Sequence, residues 1–112
     1  PYPGAKEFTE SYKKEFPGAD LSYHSAGGYA GCQILVDAIK RARSLDGEKI
    51  RAEIAKMDLT TVYGGFKVDE GGFQLTHKMV MFQWQDSKKV ITWPDELATG
   101  KARLPTPPWS HR

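Results

Sequence analysis

Met79-Val80-Met81-Phe82-Gln83-Trp84-Gln85 is the stretch on which the fold turns. It alternates in steps of two: Met79, Met81, Gln83 and Gln85 fall on one side, and Val80, Phe82 and Trp84 on the other. A two-residue period predicts a strand. Near its start both sides are apolar, which is the pattern of a strand covered on both faces. Asp86-Ser87-Lys88 closes a hairpin into a second strand over Lys89 to Trp93. Two or three strands cannot bury two apolar faces alone, so the pattern asks for cover from a partner chain or from polypeptide outside these residues.

Upstream the period changes to that of a helix. Phe8, Tyr12 and Phe16 recur every fourth residue over Ala5–Phe16, which predicts an amphipathic helix with one buried stripe, stopped by Pro17-Gly18. Pro1 to Gly4 reads as a lead-in. A second helix is expected from about Ala26 to Arg43, with Tyr29, Cys32, Val36 and Ile39 on one face and Leu35 beside them. Cys32 then reads as a small core residue. Gly27, Gly28 and Gly31 weaken the first turns by about 1 kcal/mol each relative to Ala. Close approach of a backbone or a ligand would compensate. Asp46 looks like the N-cap of a third helix running to about Met57, with Leu45 and Ile50 at the spacing of a hydrophobic staple.

After Asp58 the residues Thr61, Val62, Tyr63, Phe66 and Val68 favour extended structure, with a bend or bulge expected at Gly64-Gly65 and a turn at Asp69-Glu70-Gly71-Gly72. Beyond the hairpin, Pro94 opens a short helical turn over Asp95–Thr99. Residues 105–112, with Pro105, Pro107 and Pro108, read as an extended tail.

Composition narrows the function. Of 112 residues, 16 are Lys or Arg and 14 are Asp or Glu, a net charge of +2, which excludes a polybasic nucleic-acid arm. No apolar run approaches the roughly 20 residues of a membrane helix. One cysteine excludes an internal disulfide and a multi-cysteine metal site. His24, His77 and His111 lack metal-ligand spacing, adjacent Asp69 and Glu70 suit a turn, and no nucleophile–base pair can be placed, so neither metal, cofactor nor catalysis is expected. The chain starts at Pro1 with no signal-peptide pattern; a trimmed N-terminus, with a signal peptide in the precursor, is the expectation.

One segment carries recognition chemistry: Leu21-Ser22-Tyr23-His24-Ser25-Ala26-Gly27-Gly28-Tyr29. A helix N-terminus offers free N–H groups and a positive dipole end to a carboxylate. Tyr23 and His24 could supply an aromatic wall and a hydrogen bond. The alternative is that Tyr23 packs in the core and Ser25 caps the helix.

The ordered series of motifs resembles the C-terminal portion of the type I periplasmic solute-binding proteins of ABC transporters, the leucine/isoleucine/valine-binding family. "FTESYKKEF" is similar to the family's amphipathic helix ending in an aromatic residue. The stretch from Tyr23 to Gly72 resembles its tyrosine-bearing helix, Asp-containing loop and next helix, then T-V-x-G and F-x-x-D-E-x-G. "MVMFQWQDSKKVITWPDELATGK" is similar to V-x-Q-W-x-D-G-K…V-W-P-x-E-x-A, with Ser87 where glycine is commoner.

The resemblance implies an α/β fold, the C-terminal part of a two-lobed clamp, helices first and then strands including one inter-lobe crossing. Residues 5–78 would belong to the first lobe, 79–85 would cross between lobes, 86–104 would pack on the second, and 105–112 would form the tail. It implies a non-enzymatic, extracytoplasmic binder of branched-chain or aromatic amino acids or related small carboxylates. The partners implied are an ABC permease and either the N-terminal part of the same protein or a swapped copy. The ligand-facing residues would be Tyr23, His24 and Ser25. The competing readings are a ligand-sensing receptor of the same fold and an autonomous α+β protein-interaction module.

Overall fold

The computed structural model describes residues 2–106 and 108–111 of the chain. Pro1 of the expected lead-in and Pro107 and Arg112 of the expected tail lie outside the described residues, as does the side chain of His111. The chain divides into two compact units, Pro1–His77 and Lys78–Arg112.

The first unit begins with α1, Ala5–Glu15, entered through Gly4 at a φ of 76°. The rings of Phe8, Tyr12 and Phe16 follow one another at centroid distances of 6.0 and 5.1 Å, as their four-residue spacing requires, and Phe8 lies 4.6 Å from the ring of Tyr29. The stripe is only half covered: no α1 residue is fully buried and Phe16 is exposed.

Helix α2 spans Tyr23–Ala42 and so starts three residues earlier than its periodicity suggests. Ser22, in extended conformation, is the N-cap; its hydroxyl accepts the Ser25 N–H at 3.4 Å. Ser25 is therefore not the cap. Helix α3, Gly47–Lys56, is capped as expected by Asp46, whose carboxylate accepts the Lys49 N–H at 3.0 Å. Leu45 is 82% exposed and does not staple the helix start.

The two helices pack together over a small core: Ala30 and Ala38 of α2, Met57 just past α3, and Val62. The inward stripe of α2 is the Ala30–Ile34–Ala38 row, not the expected one. Tyr29, Leu35 and Val36 are about half exposed, and Cys32 is exposed rather than a core residue. Alanines allow close backbone approach, and a helix apolar around most of its girth does not reveal from its period which stripe its neighbours take. The three early glycines meet no other group where a Cβ would stand, so close packing does not explain them.

Strands β1 (Leu59–Thr61) and β2 (Gly64–Phe66) pair antiparallel, Leu59 opposite Phe66 and Thr61 opposite Gly64. Val62-Tyr63 makes the turn, and Gly64-Gly65 lies within β2 rather than interrupting the strands. Gly64 is needed there, because its φ of 129° is closed to other residues. Thr61 pins the turn by donating to the Gly64 carbonyl at 2.9 Å and accepting the Tyr63 N–H at 3.1 Å. Gln33 of α2 accepts the Val62 N–H at 3.1 Å, which docks the hairpin on the helix. The Asp69–Gly72 turn forms as its composition predicts, with the Asp69 carboxylate accepting from Gly71 and Phe73, each at 2.9 Å.

The second unit is built on β3 (Met81–Gln85) and β4 (Lys88–Trp93), joined by Asp86-Ser87. Both turn residues have positive φ, 52° and 61°, the signature of a type I′ turn. Strand β3 begins two residues later than Met79, and at its start Thr92 is an extra residue in β4: Met81 faces Trp93 and Phe82 faces Ile91. The expected turn over Asp95–Thr99 is a single 3-10 turn, Asp95–Leu97, with Pro94 ahead of it as the cap. The tail is not wholly extended, since Trp109–His111 forms another 3-10 turn. The apolar residues expected to need cover lack it: Phe82 is 50% exposed, Trp84 41%, and Met79, Val80 and Met81 are exposed as well.

Candidate functional site

The start of α2 places the residues singled out in the sequence. Tyr23 and His24 occupy its first turn, side by side, with ring centroids 3.9 Å apart. Both are exposed, Tyr23 at 66%, so Tyr23 is not a core residue. The first turn carries no acidic side chain. Ser22 Oγ accepts the Ser25 N–H and lies 3.5 Å from the Ser25 hydroxyl, and the amides of Tyr23 and His24 keep their donors free among the described hydrogen bonds. Free amides at the positive end of a 20-residue helix favour an anionic group, and the neighbouring rings can lie against a flat or apolar one.

Ser25 is placed differently. Its hydroxyl turns toward α1 and bonds Tyr12 Oη at 3.4 Å, half-buried. The structure thus brings Tyr23 and His24 together on the surface and ties Ser25 to the neighbouring helix.

Sequence reasoning missed a second feature on the same helix. One turn after Tyr23, Gly27, Ala30, Gly31 and Ile34 form one wall of a concave space of about 310 Å³, whose other side is the β1–β2 hairpin with Gln74 and His77. Tyr63 and His77 stack at its edge, centroids 5.0 Å apart and planes within 8°. The glycine cluster was the available signal: the missing side chains leave room instead of admitting a close neighbour.

The titrating groups with displaced pKa values lie elsewhere. The Arg103 guanidinium, by hydrogen bond and then by charge, holds the Asp86 carboxyl below its usual value; the hydrogen bond from Lys78, followed by a backbone hydrogen bond, lowers that of Glu96. Both are surface ion pairs, at 2.7 and 2.6 Å. Among the described residues no set of three His, Cys, Asp or Glu is placed to hold a metal ion, and no helix is long and apolar enough to cross a membrane.

The head of α2 thus presents free amides, two adjacent rings and an open flank. The chain belongs to the periplasmic binding protein family, whose sequence profile matches residues 1–89. This bears out the resemblance carried by the motifs, and with it the mixed α/β class, helices first and antiparallel strands after. The family is one of non-enzymatic solute binders. Among curated proteins, the chain is 32% identical over 107 residues to Leu/Ile/Val-binding protein homolog 7 of Brucella suis biovar 1, a match covering 92% of this chain and 27% of that protein. It is 28% identical over 106 residues to Leu/Ile/Val-binding protein homolog 8 of Brucella abortus, covering 91% and 26%. The chain therefore spans about a quarter of the length of these relatives.

Proposed function

We propose that the chain is part of an extracytoplasmic solute-binding component of an ABC transporter, one that holds a branched-chain or aromatic amino acid or a related small carboxylate by closure of two lobes and delivers it to a membrane permease. The observation that carries this reading is the family match over residues 1–89, joined to relatives named for binding leucine, isoleucine and valine. In this reading residues 5–78 belong to one lobe, 79–85 cross between lobes, 86–104 pack on the other and 105–112 form the tail. The division of the chain at His77–Lys78 supports that boundary. The bare apolar sides of Phe82 and Trp84 suit a strand covered by further polypeptide. The same family membership supports periplasmic placement.

Tyr23 and His24 face the ligand's side chain in this account, and Ser25 supports them through Tyr12. The test is His24→Ala in a protein carrying this chain at the length of its relatives. Loss of one ring contact or hydrogen bond, about 1 kcal/mol, weakens binding roughly fivefold. An unchanged calorimetric affinity would remove His24 from the site.

A further inference from the structure

We propose that residues 99–103 are a strap, built into the fold to lock the β3–β4 hairpin into one stiff unit and to close its glutamine side. Strand register divides the hairpin into two faces. Gln83, Gln85 and their partners Val90 and Lys88 share one; Phe82, Trp84, Ile91 and Lys89 share the other.

The strap starts at the outer edge of β4. There the Thr99 N–H donates to the Ile91 carbonyl at 2.8 Å and the Thr99 hydroxyl accepts the Ile91 N–H at 2.9 Å. It then crosses the glutamine face. Gly100 passes so close to Val90 that a Cβ would stand 2.7 Å from Val90 Cγ1. Gln85, buried, donates to the Lys101 carbonyl at 2.8 Å and to Gln83 Oε1 at 2.7 Å. The Gln83 amide grips the Arg103 backbone from both sides, donating to its carbonyl at 3.0 Å and accepting its N–H at 2.9 Å, as a neighbouring strand would. The strap ends on the hairpin turn, where the Arg103 guanidinium takes both Asp86 oxygens, at 3.1 and 2.7 Å.

Side-chain amides thus do on one face what a third strand does on an edge. The hairpin's own chain closes its polar face, and the aromatic face, with Lys89 Nζ 5.2 and 5.4 Å over the two rings, is the one left open. Where residues 79–85 cross between lobes, which rests on the reading above, the strap stiffens the end of that crossing. The strap itself does not depend on that reading.

Amide hydrogen exchange on the full chain tests it. The Arg103 N–H should exchange at least tenfold more slowly than in a free peptide. Gln83→Leu and Arg103→Gln should each raise Arg103 exchange severalfold and speed exchange at Gln83 or Val90. Free-peptide exchange at Arg103 in the parent chain, or protection unchanged by both substitutions, would overturn the strap and leave the solute-binding reading untouched. If Gln83→Leu fails to fold, the parent chain and Arg103→Gln decide the matter.

Discussion

Among the described residues Met57 is the largest side chain to be fully buried, 1% exposed, where the chain leaves α3 for β1. The core around it is otherwise small: Ala30, Ala38 and Val62 are its other buried apolar residues. Met57→Ala removes three heavy atoms, each worth about 0.8 kcal/mol on the methylene scale, so lost transfer alone comes to roughly 2 kcal/mol. Incomplete collapse of the cavity raises the expected loss to about 3 kcal/mol, inside the usual 2–5 kcal/mol for such truncations. In a domain below 100 residues 1 kcal/mol shifts the midpoint by about 4–8 °C, so the expected fall is more than about 10 °C. Thermal and urea melts followed by the far-ultraviolet helix signal measure it. Met57→Leu, which keeps the volume, should lose less than about 1.5 kcal/mol. A Met57→Ala chain within about 0.5 kcal/mol of the parent, the spread of ordinary surface changes, would refute a core centred on this residue.

Ser87 sits at a φ of 61°, where a side chain costs roughly 1–2 kcal/mol and glycine nothing. After glycine's extra backbone entropy, Ser87→Gly should stabilise the hairpin by about 0.5–1 kcal/mol, and a lower melting point would count against the turn geometry. The Asp86–Arg103 pair should make the strap acid-sensitive. Its folded carboxyl pKa lies below the ordinary 3.8, chiefly through the hydrogen bond from Arg103, so the pair's contribution is complete above that ordinary value and disappears as pH falls through the lower folded one. Carboxyl chemical shifts across this range should show Asp86 titrating below a free aspartate, and Arg103→Gln should move it back up; a normal titration in the parent chain would contradict the pairing.

The helices, the Asp46 cap and the Asp69 turn were legible because each rests on neighbours within four residues. Alternation from Met79 to Gln85 announced β3 and its lack of cover. The start of α2 was misplaced because glycines blur the onset of its period, whereas the decisive signal was Ser22 three residues before Ser25. Its inward stripe was misjudged because Tyr29, Cys32 and Val36 are as apolar as the Ala30–Ala38 row. The choice between them is made by α3 and β1, which helical spacing does not contain. The strap was illegible for a related reason, since its glutamines meet carbonyls 16 and 20 residues away. At the site, proximity in sequence put Tyr23, His24 and Ser25 together, and only the structure separates the exposed pair from the serine tied to Tyr12.

The account's central claim is that this chain helps hold an amino acid. Calorimetric titration of leucine, isoleucine, valine and phenylalanine into a protein carrying this chain at the length of its relatives tests that most directly. Saturable one-to-one binding of at least one of them, weakened by His24→Ala, is the result predicted. Heats no larger than dilution for all four, in protein shown by its melt to be folded, would contradict it.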